Sequence, residues 1–469
     1  MKQVFLASTY FQVVCLSAGI DAGEYDVPPR LRLHGAELDF PEWTAPSERI
    51  ILLSNNAQVL ELTTPLDTAA GLAPALRSFD RIVHLNDAIT PTHPSSWVPQ
   101  EADLPMLRRF LGDLWDLREE PVELVLESPQ VNPAIALGRV FRDSVIRVHS
   151  DGLMSYGPTR NKIPLGNGQR VSTLHHLPLV EGVTPRLLDE FDAVAVPLSV
   201  AAFRAKVAEV AEAIRDELSV LDGMRGPGTA FAVGQYLAAL GLLSEQEEEA
   251  LHVSMIQEAA DRGFDTLVFK PHPAAPPATL VPLHEAADRL GIRLVPFSSP
   301  AIAEAVFEHL EPGLVLGCFS TALATARRFY GIPVLALGTE ILLERITPFQ
   351  NSNRIPVTLM RELADGTARE RTPVESRELQ SLVDAVGYAM LSEVVPHFRS
   401  RATEYLSRII GTEAMIYFKR RRLSTLGLPG GRPERTTVAA SVRRTGRLGV
   451  NTARFKLREA RAVRKAKRA

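Results

Sequence analysis

A histidine held between two prolines is the first feature of this sequence with chemical potential. His272 lies between Pro271 and Pro273, directly after an apolar run that begins at Thr266. The prolines fix φ on either side, so the imidazole is carried on a stiff segment. An imidazole titrates near neutrality and can donate a proton or a hydrogen bond to a leaving phosphate. Lys270 could add a positive charge. A lone His-Pro pair is also typical of a surface loop, so other motifs are needed to decide.

An acidic residue followed by glycine forms the second motif. Asp151 and Gly152 follow a β-branched run that starts at Val145. A carboxylate in such a position can take the proton of an attacking hydroxyl as a general base. The structural alternative is a simple Asp-Gly turn.

Two hydroxyl residues and a glycine-glutamine pair complete the set of candidates. Ser320 and Thr321 follow the apolar run at 314–317 and precede an alanine-rich segment typical of a helix. The free amides and the dipole of a helix N-terminus bind phosphate, so this pair could hold a phosphate, although N-capping alone also explains it. Gly234 and Gln235 end another apolar run and could contact the same ligand or form an ordinary turn.

The elements that carry these motifs alternate between strand and helix, as in doubly wound α/β sheets. In such sheets ligands bind where parallel strands end. The apolar runs predict strands at 49–54, 80–85, 122–127, 145–149, 192–197, 266–269, 292–295, 314–317 and 333–337. Helical patterns cover 66–77, 104–115, 199–221, 245–262, 280–290, 301–309 and 320–329.

The length of 469 residues is too great for one ordinary core. Glycine-rich residues 223–228 mark a break, and the charge pattern changes at Lys419. We therefore predict a first Rossmann-like domain at 1–198, a helical linker at 199–228, a second Rossmann-like domain at 229–418 and a basic tail at 419–469.

Together the motifs resemble a known family. An acidic-Gly motif, a His-Pro motif and a Ser-Ser/Thr motif in this order are similar to those of bacterial sialyltransferases, above all the polysialyltransferase type. Residues 5–14 are similar to the first strand and turn of that family. The likeness extends discontinuously over residues 1–340. One departure is Ser150, where the family usually has a first acidic residue, which leaves Asp151 as the candidate base.

The resemblance implies a GT-B fold, in which two Rossmann-like domains, the first for the acceptor and the second for the nucleotide-sugar donor, face each other across a cleft. It also implies metal-independent, inverting transfer of sialic acid, or a related nonulosonic acid, from a CMP-activated donor to a glycan hydroxyl, with no metal or other cofactor. Asp151 would be the base and His272 the acid or hydrogen-bond donor. The expected substrate-binding residues are Gly152, Gly234, Gln235, Lys270, Ser320 and Thr321.

Three alternatives remain open at this point. Teichoic-acid glycerophosphotransferases, which use CDP-glycerol, share a Pro-His-Pro turn and a later hydroxyl pair, but an acidic residue and a tyrosine usually precede their serines, where this chain has Cys318 and Phe319. A UDP-sugar transferase or epimerase would require an acidic pair for ribose that is not evident. A catalytically silent scaffold that binds a glycan or lipid carrier is the third.

Two isolated cysteines, Cys15 and Cys318, and a short N-terminal apolar run favour a protein kept in the cytoplasm. Residues 419–469 carry 17 Lys and Arg against two Glu, about +15, and the remainder carries 35 against 53 acidic residues, about −18. A basic end with interspersed apolar residues predicts attachment to anionic lipid at the inner face of the membrane, near lipid-linked acceptors. The acidic body argues against nucleic acid as a partner, and a solvated tail is the remaining alternative.

Overall fold

The computed structural model describes residues 1–33, 36–38, 43–57, 65–117, 120–272 and 275–432. Residues 1–418 form one compact unit, and residues 419–469 form a second. Within the second unit the structure describes residues 419–432.

The first sheet contains seven parallel strands, and the apolar residues of its central strands are buried on both faces. The strands of this half of the chain, with a separate two-stranded hairpin at β2 and β3, are β1 (Lys2–Ala7), β2 (Leu31–Leu33), β3 (Ala36–Leu38), β4 (Glu48–Leu53), β5 (Arg81–His84), β6 (Val122–Glu127), β7 (Val145–Ser150), β8 (Val171–His176) and β9 (Val194–Pro197). The order across the sheet is β5-β4-β1-β6-β7-β8-β9. The order reverses between β1 and β6, and this is where open α/β sheets bind ligands.

The second sheet repeats this plan. Its strands are β10 (Thr229–Val233), β11 (Thr266–Lys270), β12 (Arg293–Pro296), β13 (Leu314–Gly317), β14 (Val334–Ala336) and β15 (Asp365–Thr367). The order is β12-β11-β10-β13-β14-β15, parallel except for the last strand, and it reverses between β10 and β13. The predicted fold class of two Rossmann-like, doubly wound sheets is thereby confirmed.

Helices connect the strands and cover the sheets. The α-helices are α1 (Tyr10–Asp21), α2 (Ala73–Leu76), α3 (Leu85–Ile89), α4 (Leu104–Leu114), α5 (Ala134–Val140), α6 (Leu165–Gly168), α7 (Val200–Ala213), α8 (Arg215–Leu218), α9 (Glu245–Asp261), α10 (Val281–Leu290), α11 (Ala303–Leu310), α12 (Thr321–Tyr330), α13 (Thr339–Arg345), α14 (Arg354–Leu363), α15 (Pro373–Leu391), α16 (Arg399–Ile409) and, in the second unit, α17 (Arg420–Leu426). Short 3₁₀ helices lie at Leu66–Thr68, Pro94–Ser96, Glu101–Asp103, Leu153–Tyr156, Asp189–Phe191, Ser219–Met224, Pro277–Leu280, Pro396–Phe398 and Glu413–Tyr417.

Two helices tie the halves of residues 1–418 together. On α7, the Phe203 ring packs edge-on against Phe11 of α1 and Phe329 of α12, with centroids 5.7 and 5.5 Å away. On α15, Asp384 is 2% exposed and accepts two hydrogen bonds from the Arg186 guanidinium of the first half, at 2.7 and 3.0 Å. Helix α7, which lies in the segment predicted as a linker, therefore packs against both halves of the chain.

Three sequence-based element predictions need correction. The helix expected at 66–77 is a 3₁₀ turn followed by the short α2, because Gly71 between them has φ of +76° and no room for a Cβ beside Ile214. The long helix expected at 199–221 is divided into α7, α8 and a 3₁₀ turn. Strand β8 was missed, because its sequence, VSTLHH, contains hydroxyls and histidines in place of an apolar run.

Candidate active site

A cavity of about 520 Å³ lies at the carboxyl ends of β6 and β7, where residues from both halves of the chain meet. The first half contributes the ends of these strands, and the second contributes Phe319, Thr321, Ser352 and Pro356. This is the ligand-binding edge of the first sheet, beside the point where its strand order reverses.

Asp151 lies in this cavity, as the residue directly after β7. Strand β7 is buried between β6 and β8, which fixes the position of its carboxyl end. Loss of water contacts raises the pKa of Asp151 to about 6. The carboxyl group is thus ionised at neutral pH but more basic than an ordinary aspartate, which suits a group that must accept a proton.

Glu127 is a second carboxyl group in the same cavity, and sequence reasoning did not single it out. It is the last residue of β6, is 7% exposed, and pairs in register with His149 of β7. Burial first, and then the charge of Asp151, raise the pKa of Glu127 to about 7. The signal that could have found it is topological, because Glu127 ends a strand at the point where the strand order reverses.

Gln12 fixes one side of Glu127. The Gln12 Oε1 accepts hydrogen bonds from the backbone amides of Ser8 and Thr9, at 2.8 and 3.1 Å, within the capping box that begins α1. With Oε1 occupied in this way, the Nε2 group faces Glu127 and donates to its Oε2. The turn after β1 therefore positions the carboxyl group at the end of β6.

His149 lines the cavity as a buried, neutral imidazole. Its Nε2 donates to the carbonyl oxygen of Leu6 at 2.9 Å, and burial lowers its pKa to about 4. The Nδ1 atom is buried without a hydrogen-bond partner among the described residues. His149 therefore contributes no charge near Asp151.

The predicted hydroxyl pair lies at the start of α12, as expected. Ser320 is the N-cap, and its Oγ accepts from the Ala322 amide at 3.3 Å. Thr321 lines the same cavity as Asp151. A Cβ at Gly152 would lie 3.3 Å from the Thr321 Oγ1, so the chain after Asp151 approaches this helix closely. The structure thus brings Asp151, Gly152 and Thr321 to one cavity.

His272 lies just beyond β11 and is not among the residues that line this cavity. Its ring stacks on Tyr236, with centroids 5.8 Å apart, and partial loss of water lowers its pKa. A neutral imidazole can still donate a hydrogen bond. Pro273, which follows it, lies outside the described residues. The role of His272 as partner of Asp151 stays a prediction.

Lys270 is buried and has hydrogen-bonding and aromatic neighbours in its own half of the chain. It is 9% exposed, and its Nζ donates to the carbonyl oxygen of Ser299 and lies 5.8 Å from the centre of the Phe297 ring. Burial lowers its pKa to about 8. The predicted contact of Lys270 with substrate stays a prediction.

Gly234 and Gln235 pack against the end of β11. The Gly234 amide donates to the Lys270 carbonyl oxygen at 2.8 Å, and a Cβ on this glycine would lie 2.9 Å from the Phe269 ring. The Gln235 amide donates to Nε2 of His252 at 3.0 Å, while Gln235 and Tyr236 line a separate cavity of about 560 Å³. Their predicted contact with the donor is untested by this arrangement.

The described part of the chain contains no group of three or more His, Cys, Asp and Glu side chains that could hold a metal ion. Over the same residues, none of the helices has the length and apolar character needed to span a bilayer.

Residues 3–339 match the family model of the alpha-2,8-polysialyltransferases (POLYST). The chain belongs to the alpha-2,8-polysialyltransferase family. Membership makes the protein a glycosyltransferase of the sialyltransferase type, as the motifs led us to expect. The matched range of the polysialyltransferase model contains all the predicted site residues and ends before the basic tail.

The chain also has a distant likeness to several solved structures. The UDP-GlcNAc 2-epimerase from Methanocaldococcus jannaschii is 12% identical, with a TM-score of 0.42 over 81% of this chain and 91% of that one. The GT-B domain of a sialyltransferase from Photobacterium damselae is 13% identical, with a TM-score of 0.38 over 77% and 96%. MurG from Acinetobacter baumannii is 10% identical, with a TM-score of 0.37 over 87% and 99%. A comparison with curated protein sequences gives no match.

Proposed function

We propose that this glycosyltransferase is a metal-independent, inverting enzyme that transfers sialic acid, or a related nonulosonic acid, from a CMP-activated donor to a glycan hydroxyl. The observation that carries the proposal is the Asp151 carboxyl group, which is held at the end of a buried strand in a cavity between the two sheets. Family membership supplies the class of sugar.

The reaction needs few protein groups. The acceptor oxygen attacks the anomeric carbon on the face opposite the phosphate, the new C–O bond forms, and the bond from the anomeric carbon to the phosphate oxygen breaks. The proton of the acceptor hydroxyl passes to Asp151, and the bonding electrons leave with CMP. In this reaction Ser320, Thr321 and the amides at the start of α12 would stabilise the phosphate charge, and His272 would be a further hydrogen-bond donor to the phosphate.

CMP release from CMP-sialic acid tests the proposal directly. We expect the protein to release CMP, faster with a glycan acceptor, and to retain its activity in EDTA, since phosphate charge would be met by helix amides and hydrogen-bond donors. CDP-glycerol and UDP-GlcNAc serve as competing donors in parallel assays. Loss of activity in EDTA that manganese restores would refute metal independence, and turnover of CDP-glycerol alone would favour the glycerophosphotransferase alternative.

We also propose that the basic tail, residues 419–469, holds the enzyme at the inner face of the cell membrane, where lipid-linked glycans would serve as acceptors. The charge of about +15 in these residues supports this attachment. Within the described part of the tail, helix α17 begins with three consecutive arginines, Arg420, Arg421 and Arg422.

Truncation before Lys419 should abolish binding to vesicles that contain phosphatidylglycerol and leave transfer to a soluble acceptor largely intact, because all predicted site residues precede this point. Full-length protein should bind such vesicles at low salt and be released as salt shortens the Debye length from about 30 Å at 0.01 M to about 8 Å at 0.15 M. Neutral phosphatidylcholine vesicles are the control. Equal binding to both vesicle types would refute attachment by charge.

A further inference from the structure

Two carboxyl groups, the buried Glu127 and the partly buried Asp151, line the cavity, and the proposed reaction uses only one of them. Glu127 ends β6 and Asp151 follows β7, the neighbouring strand, so both project from the same edge of the sheet. Register pairs Glu127 with His149, and Asp151 is two residues further along, which places the three side chains on one face. All three line the cavity.

We propose that Glu127 is a positioning residue for Asp151: near neutral pH the two carboxyl groups hold one proton, which resides on Glu127 and leaves Asp151 as the ionised base. The inference rests on the proposed function, in which Asp151 takes the acceptor proton. The protonation of Glu127 should also affect donor affinity, because an ionised Glu127 would add a negative charge to a cavity that must bind an anionic donor.

Burial favours this arrangement, because Glu127 is 7% exposed whereas Asp151 is only partly buried, so a negative charge costs more on Glu127; the hydrogen bonds that Glu127 accepts offset this only in part. Gln12 cannot reverse its amide without losing the backbone donors of Ser8 and Thr9, so it presents an N–H to Glu127 Oε2. A proton on neutral Glu127 therefore lies on Oε1, the other oxygen. The order of ionisation agrees, since burial raises the pKa of Asp151 to about 6, whereas burial and the Asp151 charge together raise that of Glu127 to about 7.

Among the described residues, the buried groups around the pair carry no positive charge, and the cation that lines the cavity, Arg160, is exposed to solvent. The titratable or charged side chains near the pair are Cys15 of α1, His149 of β7, Arg160 of the following loop and Glu304 of α11. His149 and Cys15 are uncharged at neutral pH, because burial lowers the pKa of the imidazole and raises that of the thiol. Glu304 is buried and accepts from Thr325 Oγ1 at 2.6 Å, while Arg160 is exposed. Ionised Glu127 would thus oppose anion binding.

The test compares the KM for CMP-sialic acid at pH 8.5 with that at pH 6.5. The donor has no group that titrates in this interval, because its phosphate is a diester. In the wild type this KM ratio should be roughly three to ten, the order expected for one partly screened like charge. In Glu127→Gln, which cannot ionise at this position, the ratio should fall by this factor relative to the wild type, whatever the turnover of the variant, because any contribution of Lys270, whose pKa burial lowers to about 8, is common to both proteins. If Glu127 had only a structural role, its replacement by Gln would change KM by the same factor at both pH values.

Glu190→Gln is the matched control. Glu190 is also partly buried with a raised pKa, and it accepts from the Thr159 hydroxyl at 3.0 Å, but it lies outside the cavity lining. This variant should keep the wild-type KM ratio. A wild-type ratio in Glu127→Gln would overturn the inference, even if Asp151→Asn is inactive. Full turnover in Asp151→Asn would instead refute the proposed base.

A measurement on the wild type covers the case in which Glu127→Gln does not fold. Binding of CMP-3-fluorosialic acid, an unreactive donor analogue, is followed at pH 8 by calorimetry in two buffers of different ionisation enthalpy. We expect uptake of a fraction of a proton, because an anionic ligand restores the proton on Glu127. Binding without proton uptake would overturn the inference.

Discussion

Replacement of Asp151 by Asn should lower turnover by about two to four orders of magnitude, the usual contribution of a positioned general base. The carboxyl group lies at the end of β7 in the cavity that both halves of the chain line, whereas the adjacent position is Ser150, which has no proton-accepting carboxylate. The amide of Asn has nearly the same shape, so CMP affinity should survive the change. Transfer assays with saturating donor, together with CMP titration, measure the two effects separately.

The pH dependence of the wild type gives an independent check on Asp151. Since burial raises its pKa to about 6, the carboxyl group becomes protonated as pH falls through this value, and kcat/KM should decline there. Glu190→Gln again serves as a control that removes a carboxyl group outside the cavity, and it should retain the wild-type profile. Near-wild-type CMP release by Asp151→Asn, with donor and acceptor present, would show that Asp151 is not the base.

His272→Ala tests the other predicted catalytic residue. If the imidazole donates to the phosphate of the bound donor, turnover should fall by a similar factor of about two to four orders of magnitude. The structure places the ring on Tyr236, which gives a matched comparison in Tyr236→Leu, where the stacking partner is lost and the imidazole is kept. Activity of His272→Ala that equals the wild type would remove His272 from the mechanism.

The alternation of strands and helices could be predicted because parallel strands that are buried on both faces appear as continuous apolar runs. Residues 122–127 and 314–317 were predicted with the bounds that the structure gives to β6 and β13. Strand β8 could not be found in this way, because four of its six side chains carry hydroxyl or imidazole groups. These polar side chains become buried only through contacts with neighbouring elements of the folded chain. A pattern of apolar residues predicts which segments are buried, and this prediction fails for a buried segment that is rich in polar residues.

The candidate site was predictable only in part, for a related reason. Asp151 and Thr321 follow apolar strands, so the rule that ligands bind at strand ends identified them. Glu127 is itself the last residue of an apolar strand, and only the order of strands across the sheet shows that this end faces the cavity. The hydrogen bond from Lys270 to the Ser299 carbonyl joins residues that are 29 apart in sequence and could not be anticipated.

The largest stability effect should come from an ion pair buried beneath the site. Arg147 of β7 and Glu123 of β6 are 1% and 0% exposed, and the Arg147 Nε donates to Glu123 Oε1 at 2.9 Å. Gln3 of β1 donates to the other carboxylate oxygen at 2.7 Å, and a terminal nitrogen of Arg147 donates to the Val27 carbonyl at 2.5 Å. The network links three neighbouring strands just below Glu127 and Asp151.

Arg147→Met should lower the free energy of unfolding by about 3–5 kcal/mol, because it leaves the Glu123 charge buried without its cation. The double variant Arg147→Met with Glu123→Leu should recover most of this loss, since an apolar pair of similar volume avoids the cost of burying both charges. Urea denaturation of the two single variants, the double variant and the wild type completes the thermodynamic cycle. Additive losses in the double variant would show that the strands are held by packing alone and that the pair adds no coupling between β6 and β7.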